Sequence, residues 1–449
     1  MSRPSRPGSR RLLFVAGSAH LLGGLASWLD YVLPGLAGRG WDPVLGLVEG
    51  PRHHRPERLI AAHPHERWIR IPSPTGTPEG RCRALAEALI DQRPSVALSV
   101  NIPDLFPALH RVRGAGNAVR GVMTVHGIEP ELYADAFRFR EVMDGAVATN
   151  RLACRLLEAI GGIVSERVFY APYGVETQVY GVRERGNGSP LCIGYSGRLE
   201  QSQKRVGDLP LVAQALDAME VRHAWAIAGD GPEEGSLRRD MPAGRTTFLG
   251  PLAVGEIGRL LYARIDALVV PSAWETGPLV AWEAMAADVP VVASRYLGSG
   301  LEAALRHEEN ALLFDPGDAE AAARQLARIA REPGLSDRLA AGGRELLRQR
   351  YSRERSVEAW ERAIEAVLAL PSLPPAGPPR VPPASGRLER WVGAGRAETI
   401  RRLLGRTGPD AGSGGEWPHA YGAGLERGAF FRRAAELDRV ESGHACSRP

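Results

Sequence analysis

Two glutamates eight residues apart, Glu275 and Glu283, carry the most legible chemistry of this chain, in Pro271-Ser272-Ala273-Trp274-Glu275-Thr276-Gly277-Pro278-Leu279-Val280-Ala281-Trp282-Glu283. The apolar run Ala267-Leu268-Val269-Val270 before them reads as a buried parallel strand, and Pro278 stands where a helix can begin. Glu275 then falls in a strand-to-helix loop, with Glu283 in the second turn of the helix. Loops at that edge of an open α/β sheet bind ligands, because helix N-termini there offer unpaired N–H groups and a partial positive charge to anions. Carboxylates so placed can reach different parts of one ligand whose phosphates lie between them, as a nucleotide sugar requires. By spacing alone, the pair reads equally well as two solvated helix-end charges.

A second cluster lies upstream in Cys192-Ile193-Gly194-Tyr195-Ser196-Gly197-Arg198-Leu199-Glu200-Gln201-Ser202-Gln203-Lys204-Arg205. A short strand ends at Gly197, Arg198 and Lys204 follow, and a helical run covers 206–219. A guanidinium forks onto phosphate oxygens and an ammonium adds a mobile point charge, so the two can neutralise a diphosphate leaving group. Such a cation pair can do the work of a divalent metal. The sequence contains no Asp-x-Asp motif, and neither a metal nor a cofactor is expected.

Arg198, Lys204, Ala228-Gly229-Asp230-Gly231-Pro232-Glu233, Phe248-Leu249-Gly250 and the Glu275/Glu283 pair, in this order and spacing, resemble the retaining GT-B-fold glycosyltransferases of family 4, the glycosyl transferases group 1. The resemblance is strong over about 190–320 and weaker in the first half. It implies an α/β protein of two Rossmann-like domains facing a cleft, with a C-terminal extension. It also implies a hexosyltransferase-like, metal-independent enzyme taking a nucleoside-diphosphate sugar as donor and a glycan, a lipid-linked intermediate or a small molecule as acceptor, most commonly in surface-polysaccharide synthesis. Carried over by position, Glu275 hydrogen-bonds the donor sugar, Glu283 holds the ribose, and Arg198 and Lys204 grip the diphosphate. The turn Gly277, Pro278, Leu279 and Val280 touches the phosphates, and Gly229 joins the donor-binding set. Front-face displacement, with the leaving phosphate oxygen helping to remove the acceptor proton, needs no protein nucleophile. Two positions depart from the pattern: Gly277 replaces an aromatic, which alters the shape of the sugar pocket, and Arg205 replaces a glycine, which lengthens the loop.

Further candidates stand in the first half. Gly23 and Gly24, in the loop 17–24 after the first strand, can let the backbone approach a ligand. His126 follows a strand at 121–125 and, by resemblance, lies near the transferred sugar; Asn101 after the strand 96–100 is a weaker candidate of the same kind. The histidines His53, His54, His63 and His65 sit among prolines without a nearby cysteine and read as an irregular loop, not a metal site.

These groups need a two-domain scaffold, and 449 residues are too many for one ordinary core. Expected strands in the first half are 12–16, 44–48, 68–71, 96–100, 121–125, 145–148 and 168–171; in the second, 191–195, 224–228, 246–249, 267–270, 289–293 and 311–314. The expected organisation is a first Rossmann-like domain over 1–182 that includes a hinge segment at 170–176, a linker over 183–190, a second such domain over 191–352, and a crossover helix at 353–370 that packs back on the first. An accessory tail over 371–449 opens with a proline-rich linker, followed by a helix at 387–404, a glycine-rich tract and a helix at 427–440. The tail's arginines read as a solvated face.

Fifty-six Lys and Arg against fifty-two Asp and Glu give a net charge of +4, too even to announce nucleic acid. A local basic patch would still favour peripheral contact with anionic membrane surfaces. Four scattered cysteines without a Cys-x-x-Cys fit a reducing cytoplasm. The apolar run after Arg10-Arg11 imitates a signal peptide, but His20, Gly23-Gly24 and Asp30 divide it into a strand and an amphipathic helix. Two other functions fit the same residues: a nucleotide-sugar epimerase on this fold, and a catalytically silent nucleotide-sugar-binding protein.

Overall fold

The computed structural model describes residues 10–18, 23–49, 55–177, 189–373, 377, 387–407 and 425–440. His53, His54, Cys446, four residues of the 17–24 loop, most of the 183–190 linker and much of the proline- and glycine-rich tail fall outside them. The chain divides into two compact units, the first formed by Met1–Thr149, Ala153–Ala171 and Val357–Phe431, the second by Asn150–Leu152, Pro172–Ser356 and Arg432–Pro449.

The first unit holds a seven-stranded sheet of β1 (Arg11–Ala16), β2 (Asp42–Val48), β3 (Trp68–Ile71), β4 (Val96–Val100), β5 (Arg120–Val125), β6 (Gly145–Ala148) and β7 (Val168–Tyr170). The order is β3-β2-β1-β4-β5-β6-β7 with every pair parallel. Helices on both faces leave Leu12, Leu13, Phe14 and Val15 of β1 without exposure, which is why the strands read as unbroken apolar runs.

The second unit holds six parallel strands, β8 (Leu191–Ser196), β9 (His223–Ala228), β10 (Thr246–Gly250), β11 (Ala267–Val270), β12 (Val291–Ser294) and β13 (Leu312–Phe314), ordered β10-β9-β8-β11-β12-β13. Alternate residues of β11 serve two cores. Ala267 and Val269 join Leu209, Val212 and Leu216 of the helix Asp208–Ala218, while Leu268 and Val270 join Ala281, Trp282 and Met285 of the helix Leu279–Ala286. The strand order reverses between β8 and β11, so the loops leaving these two neighbours diverge and open a crevice at the carboxyl edge.

From Val357 onward the helix Arg353–Ala369 belongs to the first unit, where Trp360 packs 4.6 Å from Trp28, ring centre to ring centre. The tail departs from expectation in two respects. Instead of one helix over 387–404 there are two, Arg387–Val392 and Ala394–Leu404, because Gly393 adopts φ +79° and breaks the run. Nor are all its arginines solvated: Arg401 is buried and ion-paired with Glu389.

Candidate functional site

The loop after β8 is shaped by backbone crowding and by one carboxylate. Gly197 (φ +149°) and Gly229 (φ +132°) bring the ends of β8 and β9 so close that a Cβ on Gly229 would stand 1.9 Å from the Gly197 carbonyl oxygen. No side chain fits there, so the Gly-Asp-Gly turn is a packing requirement of this edge. Glu200 then gathers the loop, accepting from the backbone N–H groups of Ser202, Gln203 and Lys204 and from the Ser202 hydroxyl. Partial burial alone would raise the Glu200 pKa, but these donors and the nearby Arg198 outweigh it and hold the carboxyl below its usual range. Arg205 sits at φ +51°, in left-handed backbone that favours glycine. The departure from the family's glycine is therefore accommodated as local strain, with the guanidinium held by Asp208 at 2.8 Å.

The loop after β11 places Glu275 6% exposed. Its Oε1 accepts from the Ser272 hydroxyl at 2.7 Å and from the Lys204 ammonium at 2.6 Å, and its backbone N–H donates to Leu297 at 3.1 Å. Gln203 bridges the loops, its carbonyl accepting from the Ala273 N–H and its side-chain amide donating to the Trp274 carbonyl. Beyond the phosphate expected from its position, Lys204 also has a carboxylate partner. An ammonium carries three N–H donors, so Lys204 can hold Glu275 in place and still direct a proton at an anion in the crevice. Arg198 is exposed, and its guanidinium donates to the Gln203 side-chain oxygen at 3.4 Å.

Glu283 lies one turn into its helix and accepts from the Tyr262 hydroxyl at 2.9 Å. Burial pushes its carboxyl up to about 7, and neither the Tyr262 hydrogen bond nor the Arg353 charge brings it back. Pro278 caps that helix, so Leu279 and Val280 present first-turn N–H groups that have no acceptor inside it. At Gly277 the missing aromatic has a replacement of a kind: the ring of Tyr173 from the segment before the linker packs 3.0 Å from where a Cβ would lie.

In the first unit, Gly23 takes φ +141° as the residue before the helix Gly24–Gly38, a conformation open to glycine and strained for any other residue. His126 packs 4.7 Å from Trp28, ring centre to ring centre, and burial lowers its pKa to about 3. Its Nε2 lies 2.8 Å from the Thr124 hydroxyl oxygen, whose own proton goes to the Ser99 carbonyl. His126 is thus a neutral imidazole protonated at Nε2, with Nδ1 an acceptor. Asn101 follows β4 in left-handed backbone (φ +57°), with a buried side-chain oxygen that has no hydrogen-bond partner. His63 and His65 both face Asp30, His63 at 2.7 Å. Among the described residues no group of three or more His, Cys, Asp or Glu side chains is arranged to hold a metal, and no helix is long and apolar enough to cross a membrane.

Sequence reasoning also missed the following contacts in the second unit. Asp438, near the end of the helix Arg427–Val440, accepts from the backbone N–H groups of Gly298, Gly300 and Leu301. Glu302 collects the Arg350 guanidinium, the Tyr351 hydroxyl and the Arg151 N–H. A lone Asp in a polar helix carries no signal of a distant partner.

Residues 190–332 match the family model described as Glycosyl transferases group 1. The lipopolysaccharide core biosynthesis glycosyltransferase LpsD of Rhizobium meliloti is 32% identical over 168 residues, which cover 35% of this chain and 45% of LpsD. The chain thus spans under half the length of this curated relative. Among solved structures, the apo lipopolysaccharide outer core galactosyltransferase WaaB superposes with a TM-score of 0.62 at 16% identity, covering 79% of this chain and 99% of WaaB. Anabaena Alr3699/HepE, solved in complex with UDP and glucose, gives 0.65 at 17% identity, covering 80% of this chain and all of HepE. The two parallel sheets are those of the GT-B fold, and the stretch similar to the glycosyl transferases group 1 lies within the second unit.

Proposed function

We propose that the chain is a retaining, metal-independent glycosyltransferase that moves a sugar from a nucleoside-diphosphate donor to a glycan or lipid-linked acceptor of a surface polysaccharide. The observation that carries this reading is the Lys204–Glu275 pair at the switch point of the second sheet, with exposed Arg198 beside it and Glu283 in the adjoining helix. Lys204 and Arg198 supply positive charge where a diphosphate leaves, and the first N–H groups of the helix Leu279–Ala286 add a partial charge of the same sign. Glu275, fixed by Ser272 and Lys204, is held ready to accept sugar hydroxyl hydrogens, and Glu283 to accept those of the ribose. The Ser272 hydroxyl is engaged in holding Glu275, and displacement assisted by the leaving phosphate needs no protein nucleophile. HepE with UDP and glucose supports the donor class, and LpsD and WaaB support an envelope-polysaccharide acceptor. Among the described residues Cys82, Cys154 and Cys192 are not joined in disulfides, in accord with a reducing cytoplasm.

Incubation with a panel of nucleotide sugars and acceptors tests the proposal. Free nucleoside diphosphate plus a glycosylated product of unchanged anomeric configuration, formed in the presence of EDTA, is the expected result. An altered donor without acceptor would establish the epimerase, and binding without turnover the silent module. Arg198→Ala and Lys204→Ala should each lower turnover by about 100-fold or more with folding retained; near-normal activity in both would overturn the phosphate-clamp assignment.

A further inference from the structure

The hairpin of helices Arg387–Val392 and Ala394–Leu404 has an unusual division of charge. Its two carboxylates point inward. Glu389 pairs with Arg401, and Glu398, with no exposure, accepts from the hydroxyls of Thr75 (2.8 Å) and Thr77 (2.6 Å) and from Arg402 (3.0 Å). Thr77 also caps the helix Pro78–Gln92, and Arg83 of that helix donates to the Gly395 carbonyl and the Thr399 hydroxyl. The hairpin is therefore bolted to the body of the first unit.

Its outer surface carries arginine and bare apolar side chains and no acid. Arg387, Arg390, Arg396 and Arg406 are exposed. Trp391 is 89% exposed, Leu403 81% and Leu404 63%, the three most exposed large hydrophobic residues among those described. Single exposed apolar residues are ordinary; three within one small element already fixed to the protein are not. Tryptophan and arginine share one preferred environment, the headgroup layer of a bilayer. There an indole buries its ring while keeping its N–H wet, and a guanidinium finds phosphate.

We infer that this hairpin is a docking surface for an anionic lipid bilayer, with Trp391 and Leu403–Leu404 entering the headgroup layer and Arg387, Arg390, Arg396 and Arg406 pairing with lipid phosphates. A second copy of the chain is the less fitting occupant, since a self-complementary contact would set four arginines against four arginines. Without an acidic residue on the outer face, nothing in the hairpin opposes a negatively charged surface. The inference does not depend on the transfer reaction.

Flotation of the full chain with phosphatidylcholine vesicles, with and without about one-third phosphatidylglycerol, tests it. Binding should require the anionic lipid and fall on adding salt. The variant W391S/L403S/L404S should lose at least about tenfold in partitioning with its melting temperature unchanged, and each of Arg387→Gln, Arg390→Gln, Arg396→Gln and Arg406→Gln should weaken binding about fivefold. Absence of binding to anionic vesicles, or full binding by the triple variant, would overturn the proposal. So would a concentration-dependent dimer that the triple variant dissolves, by assigning the surface to a second copy. Because the readout is flotation and the hairpin belongs to the first unit while Lys204 and Glu275 belong to the second, its failure leaves the sugar-transfer reading standing.

Discussion

Replacing Glu283 with Gln separates what this carboxylate does for the folded protein from what it does for a nucleotide. Burial raises its pKa to about 7, whereas in an unfolded chain it titrates near the ordinary glutamate value. Between those two values the folded state keeps a proton that the unfolded state has lost, so stability is fully present below the lower value and declines as pH rises toward 7. Integrated to pH 8, a difference of about 2.5 pKa units costs the unliganded protein about 3 kcal/mol; at pH 5 the cost is below about 1 kcal/mol. Gln has the same shape, accepts from Tyr262 in the same way and cannot ionise. Glu283→Gln should therefore raise the melting temperature of the unliganded protein by several degrees at pH 8 and by little at pH 5, at about 2–4 °C per kcal/mol for a domain of this size. Ribose hydroxyls would favour the ionised carboxylate, so nucleoside diphosphate should bind the wild type with proton release near pH 6, seen as a buffer-dependent heat in calorimetry. The variant should bind without that release and more weakly. Equal melting shifts at pH 5 and pH 8 would refute the burial argument, and proton-independent binding by the wild type would remove Glu283 from the nucleotide.

His126 titrates in the opposite sense. With its folded pKa lowered to about 3, the unfolded chain gains a proton below about 6.5 that the folded chain does not. Stability should fall with acid across that window, and His126→Gln should flatten the fall in a pH series of urea midpoints. Asp438→Ala frees three backbone N–H groups and should cost the second unit about 2 kcal/mol, measured as a lowered denaturation midpoint. Glu398→Ala leaves the buried hydroxyls of Thr75 and Thr77 without their acceptor and should cost the first unit about 2 kcal/mol, with limited proteolysis reporting a loosened hairpin.

Most of the strands were legible because they are short apolar runs covered on both faces: Val96–Val100, Gly145–Ala148 and Ala267–Val270 coincide with the expected bounds, as does the edge strand Trp68–Ile71, which is buried only at Ile71. The placement of Arg198, Lys204 and Glu275 was legible for a related reason, since each lies in the loop that follows a readable strand, while Glu283 lies in the helix after the second loop. What escaped reading is contact across long sequence distance. Nothing in the order of residues says that Lys204 reaches Glu275, that the Tyr173 ring backs Gly277, or that Asp438 caps a turn at Gly298. The break at Gly393 escaped for a local reason: one glycine inside a helical pattern is compatible with either outcome until its φ is known.

Trp28 is completed by Trp360, and the first unit's segment Val357–Phe431 follows Pro172–Ser356 of the second unit in the chain. On the ribosome the first sheet therefore emerges without the aromatic lid of its own core, waits while the second unit is made, and closes only when residues 357–404 appear. A fragment ending at the linker would keep Phe14 and His126 against that tryptophan but lose Trp360, and is expected to be sticky and chaperone-bound. Dissecting this protein into expressible halves therefore calls for fusing the late helices to the early strands by circular permutation, not for cutting at the midpoint.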